Sequence, residues 1–337
     1  MKIRRGIVLS NLTDIGLERG LNEDYYGYFE PEDETLFARK GRLVIVADGM
    51  GGHQGGEVAS QVAFEMVRDA YFESPEEDPR QALVDAFQSA NGAIYDLARS
   101  NSALEGMGTT CSALLLKDDQ AFLAHVGDSR IYLTREGKIL QLTQDHSVVM
   151  DKVREGVLTE AEARHHAERN LINRAIGVAP TVEVDVSSLP IPTYEGDIFV
   201  LCSDGLSTLV AAEEIRDVVA NQHPQDACKM LVELAKSRGG YDNITIQIVK
   251  LADELKKTKE YEITAERGGR RRKRLFKVLI AALILALILT AGLLYLRKLQ
   301  RPRPATPGPS PPKQTQNTVT NSSSVVRGAV RNRRYAS

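Results

Sequence analysis

Apolar and polar positions divide the chain into a mixed body and a tail of different character. Short apolar runs of strand length occur at residues 43–47 (LVIVA), 121–126 and 198–202 (IFVLC), while residues 244–249 (ITIQIV) alternate. Residues 131–142 have the pattern of a hairpin turning at Glu136-Gly137. Two other stretches carry the helical period. Within 57–72, Val58, Val62, Met66 and Ala70 fall on one stripe; Leu83, Phe87, Ala90, Ile94 and Leu97 define a second. Strand runs separated by two consecutive helices, with hairpins elsewhere, predict α+β layers rather than a regular strand–helix alternation. Residues 1–252 are expected to form one such body, without an internal repeat.

The pattern changes at 278–296, where 19 consecutive residues (VLIAALILALILTAGLLYL) carry no charge and are apolar on every face. A helix of that length reaches roughly 28 Å, close to the ~30 Å hydrocarbon core of a bilayer. A buried soluble helix has the same composition, but basic flanks and a Pro-rich sequel favour a transmembrane helix. Seven basic residues lie in 263–277 and four in 297–311, which predicts the N-terminal side as cytoplasmic. The opening MKIRRGIVLSNLTD has no apolar stretch of signal-peptide length, in keeping with a cytoplasmic body. The expected plan is therefore a body at 1–252, a basic juxtamembrane linker at 253–277 and a span at 278–296. A Pro/Ser/Thr/Asn-rich disordered tail follows at 297–337.

Charge sharpens the division. The formal net charge of -2 combines 27 basic and 44 acidic residues before position 264 with 16 basic and one acidic residue from there on. An acidic body argues against a nucleic-acid partner, and the basic tail suits a membrane-proximal segment. Three cysteines (Cys111, Cys202, Cys228) cannot all pair with one another, and none lies in a Cys-x-x-Cys pair, which points to a reducing compartment. A monomer is expected.

The candidate chemistry lies where the strands end. LVIVA runs into Asp48, AHVG into Asp128 and IFVLCS into Asp204, whereas Asp242-Asn243 precedes ITIQIV. If that last strand runs antiparallel to the others, all four carboxylates reach one edge, and Asp24 can join them. Any one of these aspartates alone is an ordinary turn or cap residue. Most, however, stand beside glycine, which permits close backbone approach: Asp48-Gly49, Gly127-Asp128, Asp204-Gly205 and Gly240-Tyr-Asp242. Like charges 4 Å apart repel by ~4 kcal/mol at an effective dielectric of 20, so such a rim takes up protons or cations. An all-oxygen set selects Mg2+ or Mn2+ over zinc.

Competing chemistries lack their residues. The only Gly-Lys, Gly137-Lys138, is followed by Ile139 and makes no phosphate loop. The run 49–54 lacks the third glycine of a dinucleotide fingerprint. Six positions after the cysteines stand Lys117, Thr208 and Leu234, where a cysteine phosphatase has arginine, and no Gly-x-Ser-x-Gly elbow occurs.

Seven segments, in order, resemble the type 2C metal-dependent protein serine/threonine phosphatases, especially the compact bacterial form. They are Arg19-Gly-Leu-Asn22-Glu23-Asp24, Asp48-Gly-Met-Gly-Gly-His53, Gly106-Met-Gly-Thr109-Thr110 and Val126-Gly-Asp128-Ser129-Arg130, followed by Leu142-Thr-Gln-Asp145-His146-Ser147, Cys202-Ser-Asp204-Gly205 and Asp242-Asn243-Ile244-Thr245. The resemblance spans 19–245 and excludes the apolar span and tail. It implies two packed antiparallel sheets flanked by helices, an αββα sandwich. It further implies a metal pair bridged by Asp48, with the Gly49 carbonyl on one ion and Asp204 and Asp242 on the other. Glu23 and Asp24 would orient metal-bound waters, and Asp128 with Asp204 would help hold a third, weaker ion. Arg19 matches the phosphate-gripping arginine and His53 the proton donor to the leaving oxygen. His146 reads as structural and Thr109-Thr110 as a strand start, while 144–177 resembles the mobile flap of bacterial members.

The implied activity is hydrolysis of phosphoserine and phosphothreonine in proteins by a metal-activated water, dependent on Mn2+ or Mg2+, at the cytoplasmic face of a cell membrane. Family habit adds a membrane Ser/Thr kinase and its targets as partners. A phosphoprotein-binding pseudophosphatase and an enzyme for small phosphate esters are the competing readings.

Overall fold

The apolar runs pair as antiparallel strands in two sheets. The computed structural model describes residues 6–51, 55–163 and 166–252. In chain order these form β1 (Ile7–Asp14), β2 (Asp24–Phe29), α1 (Glu34–Lys40), β3 (Arg42–Met50), α2 (Gly55–Glu73), α3 (Pro79–Ser100), β4 (Gly108–Thr109), β5 (Cys111–Lys117), β6 (Gln120–Val126), β7 (Arg130–Arg135) and β8 (Lys138–Gln141). They continue with α4 (Val148–Arg154), α5 (Glu160–Ala163), β9 (Asp185–Val186), β10 (Ile191–Pro192), β11 (Ile198–Cys202), α6 (Asp204–Ser207), α7 (Ala212–Asn221), α8 (Pro224–Ser237) and β12 (Ile244–Leu251). One sheet has the order β1-β12-β11-β7-β8. The other has β10-β6-β5-β3-β2, with β4 on β3 and β9 on β6.

The unbroken apolar run of β3 follows from burial on both faces. Its Val44 and Val46 meet Phe199, Leu201 and Val249 of the opposite sheet, while Leu43 and Ile45 turn outward to α2 and α3. On the far side, Val200, Ile246 and Ile248 pack against Ile215, Leu231 and Val232 of α7 and α8. The layers thus run helices, sheet, sheet, helices, as the resemblance implied.

Local chemistry accounts for several joints. Glu136 (φ 50) and Gly137 (φ 74) are both left-handed, the requirement of a two-residue hairpin turn whose twist matches the flanking strands, and Arg135 pairs with Lys138 across it. Helix α3 starts on Asp78, whose carboxylate accepts from the Arg80 N–H, with Pro79 at the first helical position.

Helix α2 departs from the predicted stripe. Its fully buried face is Ala59, Ala63, Val67 and Tyr71, while Val58, Val62, Met66 and Ala70 lie on the partly buried flank. Alanine lets α2 lie close to α3 and β3, so the contact line follows the small side chains rather than the larger ones beside them.

Contacts divide the chain into two units, Met1–Ala265 and Glu266–Ser337, and every described residue belongs to the first. The linker 253–277, the apolar run 278–296 and the tail 297–337 lie outside the described residues. Among the described residues no helix is long and apolar enough to cross a membrane.

Phe87 is fully buried between α3 and its sheet, so Phe87→Ala should lower unfolding free energy by about 3–5 kcal/mol. Leu140→Ser, at a site 61% exposed, should change it by no more than about 0.5 kcal/mol. Urea titration followed by circular dichroism measures both.

Candidate active site

Strand register brings distant acidic residues together. β2 and β3 pair so that Asp24 stands opposite Asp48. β3 continues through Gly49 and Met50, which pair with Thr109 and Gly108 of β4. β11 ends at Cys202, and Ser203 leads into Asp204 at the start of α6. β12 runs antiparallel to β11 with Ile246 opposite Cys202, so Asp242, just before β12, returns to the Asp204 end of that sheet. Asp128 lies in the connection from β6 to β7, where the chain passes between sheets.

Their proximity is visible in their proton affinities. Burial first, and then the charges of Asp24, Asp204, Asp128 and Asp242, hold the Asp48 carboxyl well above the usual carboxylate range. Burial pushes Asp24 up to about 7 against hydrogen bonds from Thr245 and Ser203, and Asp204 and Asp242 add to the rise. Asp204 is pushed to about 6, by burial and then by Asp242, and its bond to Asp48 lowers it again. Asp128 is raised well above its ordinary value by burial and by Asp204. Glu23 is raised by burial and lowered by Arg19.

The donor set fits a hard divalent cation. Oε1 of Glu23 and Oδ1 of Asp24 and Asp204 are buried and accept no hydrogen bond, so three oxygens aim at no partner of their own. Among the described residues no three His, Cys, Asp or Glu side chains are closed tightly enough to grip an ion as they stand. Backbone packs closely beside two of the aspartates. A Cβ on Gly49 would lie 2.1 Å from the Gly56 carbonyl oxygen, and one on Gly205 2.0 Å from that of Asn243, so neither position admits a side chain. Arg19 closes the rim, donating from Nη2 to Asp242 Oδ2 at 2.7 Å while 47% exposed.

Residues 21–253 match the family model described as protein phosphatase 2C. The chain belongs to the protein phosphatase 2C family. It is 38% identical over 243 residues to a serine/threonine phosphatase, stp, of Listeria welshimeri, an alignment covering 71% of this chain and 93% of the relative. Among solved structures it is similar to the S. agalactiae serine/threonine phosphatase, with TM-score 0.66 and 36% identity over 73% of this chain and 99% of that one. It is also similar to the catalytic domain of the serine/threonine protein phosphatase PstP in complex with two manganese ions, with TM-score 0.62 and 34% identity over 74% of this chain and 99% of that one. This chain is accordingly a protein serine/threonine phosphatase.

Around the phosphatase's carboxylates runs a polar scaffold that the sequence pattern did not disclose. Asn243, 4% exposed, accepts from the Glu23 N–H at 2.8 Å and donates to the carbonyls of Ile15 (3.0 Å) and Leu21 (2.9 Å). One amide thereby fastens the loop bearing Arg19 and Glu23 to the segment that carries Asp242 into β12. Thr110, expected only as part of a strand start, accepts from the Asp48 N–H at 2.9 Å and shares a 2.7 Å hydrogen bond with Ser129, next to Asp128. Ser203 accepts from Thr245 N at 3.0 Å and donates to Asp24 Oδ2 at 2.8 Å. His146 is structural: Nδ1 accepts from Gly127 N at 3.0 Å, and Nε2 bonds Asp185 at 3.1 Å. The segment resembling a flap returns to the site where Ile176 bridges Thr109. His53 lies outside the described residues.

Without divalent ions, the folded carboxylates retain protons that the unfolded chain has already lost, because their native pKa values are raised. Their stabilising effect is present below about pH 4 and lost as pH rises through 6 to 7. In EDTA at pH 8, Asp24→Asn should therefore unfold at a higher temperature than wild type, its unfolding free energy being greater by on the order of 1–2 kcal/mol, and the gain should shrink toward pH 5. Added Mn2+ should reverse the order by stabilising wild type more. Scanning calorimetry across that range checks it.

Proposed function

We propose that this phosphatase hydrolyses phosphoserine and phosphothreonine in proteins with the help of two divalent ions, Mn2+ or Mg2+, held at one end of the sheets. Asp48 and the Gly49 carbonyl would hold one ion, and Asp204 and Asp242 the other, with Asp48 between them. Asp128 stands with Asp204 for a third, weaker ion. The convergence of Asp24, Asp48, Asp128, Asp204 and Asp242 from strands and strand ends far apart in sequence, with three unpartnered buried oxygens among the acidic groups, carries this reading. The two manganese ions of the PstP catalytic domain support it.

When bound, the ions supply a water ionised near neutral pH and neutralise charge on the phosphoryl oxygens. The chain's own residues do the rest. Glu23 and Asp24 offer unpartnered acceptors that fix water in the ring. Arg19 places a fork of donors at the mouth, only one of its five N–H groups bonding Asp242, and grips the phosphoryl group by charge-assisted hydrogen bonds. His53 gives a proton to the departing seryl or threonyl oxygen, whose loss as an alkoxide is otherwise unfavourable.

We further infer that residues 278–296 anchor the enzyme in a membrane with its catalytic body in the cytoplasm. The uncharged 19-residue run and the larger basic count before it support that orientation. Tethering raises the effective concentration toward membrane-bound phosphoproteins, such as a Ser/Thr kinase or its targets.

Full-length enzyme should release phosphate from a phosphothreonine peptide in Mn2+ and not in EDTA, and Asp48→Asn should lower kcat at least about 100-fold. Release indifferent to metal or to that substitution excludes the proposed chemistry. An epitope placed after residue 337 should be cleaved by protease added outside intact cells; protection of that epitope reverses the orientation.

A further inference from the structure

The segments that carry Arg19 and Asp242 expose several large apolar side chains. Ile15, Leu17, Leu21 and Tyr241 are 39%, 62%, 38% and 47% exposed, and all four lie on the two segments that hold the Arg19–Asp242 pair. Two of them lie over one turn: a Cβ on Gly240 would fall 3.1 Å from Leu17 Cγ, and one on Gly239 2.2 Å from the Tyr241 ring. The loop is also fixed. Leu17 N donates to Gly240 O at 2.8 Å, Gly16 N to Asp14 Oδ1 at 2.9 Å, and Asn243 holds the carbonyls of Ile15 and Leu21.

Large apolar side chains on the two segments that hold the Arg19–Asp242 pair, their backbone fixed by these bonds, expose surface whose burial is favourable. A substrate whose phosphoryl group meets Arg19 brings its neighbouring residues alongside them. A small phosphate ester leaves them uncovered, whereas an extended protein segment covers them. We propose that this rim is a docking surface for the residues flanking the phosphorylated side chain, and that it selects phosphoproteins with apolar neighbours at those positions. The inference rests on the phosphatase reading above and names its substrate class. Because the loop is already ordered, docking costs little further conformational entropy.

The test compares two phosphothreonine peptides on full-length enzyme in Mn2+, one with leucine on both sides of the phosphoresidue and one with glycine. The ratio of their kcat/KM values cancels any general loss of activity. Wild type should favour the leucine peptide at least about five-fold, chiefly through KM. Leu17→Ser and Tyr241→Ser should each bring the ratio toward one, while Leu189→Ser, at a site 73% exposed and outside the rim, should leave it unchanged. A wild-type ratio near one, or a ratio that survives both rim substitutions, overturns the docking surface alone. So does a dimer in sedimentation equilibrium that Leu17→Ser dissolves, since the rim then serves a second copy of the chain. Release of phosphate from neither peptide overturns the parent reading instead, and the docking surface falls with it.

Discussion

Repulsion among buried carboxylates is the constraint on which this site depends. Asp24, Asp48, Asp128 and Asp204 are each held above the ordinary carboxylate range, burial being the first cause in every case and neighbouring negative charge a further one. A chain selected only for stability has no reason to bring them together, because each displaces apolar or hydrogen-bonded alternatives at the end of a well-packed core. On the proposed metal chemistry the cost is offset when cations enter, and protons and metal would compete for the same oxygens, among them the unpartnered atoms of Glu23, Asp24 and Asp204.

The fold is arranged to maintain that tension. Two antiparallel sheets share an apolar layer, and the acidic residues sit where strands leave it, so each carboxylate is fixed by a ladder of backbone hydrogen bonds beneath it. Above the ladders, Asn243, Thr110 and Ser203 bind loop to strand and strand to loop. None of the three carries charge, so they set positions without adding to the repulsion. Arg19 contributes the opposite sign at the mouth, where it both eases the crowding of Asp242 and Glu23 and faces solvent.

Much of the plan was legible because double burial leaves a clear mark. The β3 and β11 runs are covered on both faces and read as continuous apolar segments. β1 and β2 were not predicted: each is the edge of its sheet, with mostly half-buried positions and no strong alternation. The buried face of α2 was displaced from its predicted stripe because alanines, not the larger residues, made the closest contacts. At the site, the aspartates announced themselves through strand ends and glycine neighbours. Asn243 and Thr110 lay inside the quoted segments, but their positioning roles did not show, since the backbone N–H groups they hold, of Glu23 and Asp48, lie 220 and 62 residues away and have no side-chain identity.

The central claim is that separate strands bring their carboxylates to one shared pair of cations. Anomalous diffraction at the manganese edge from crystals grown with Mn2+ addresses it most directly. Two strong peaks should appear, both within coordinating distance of Asp48, one of them also against Asp204 and Asp242. Manganese elsewhere on the surface, or a ring of carboxylates that stays empty at saturating Mn2+, contradicts it.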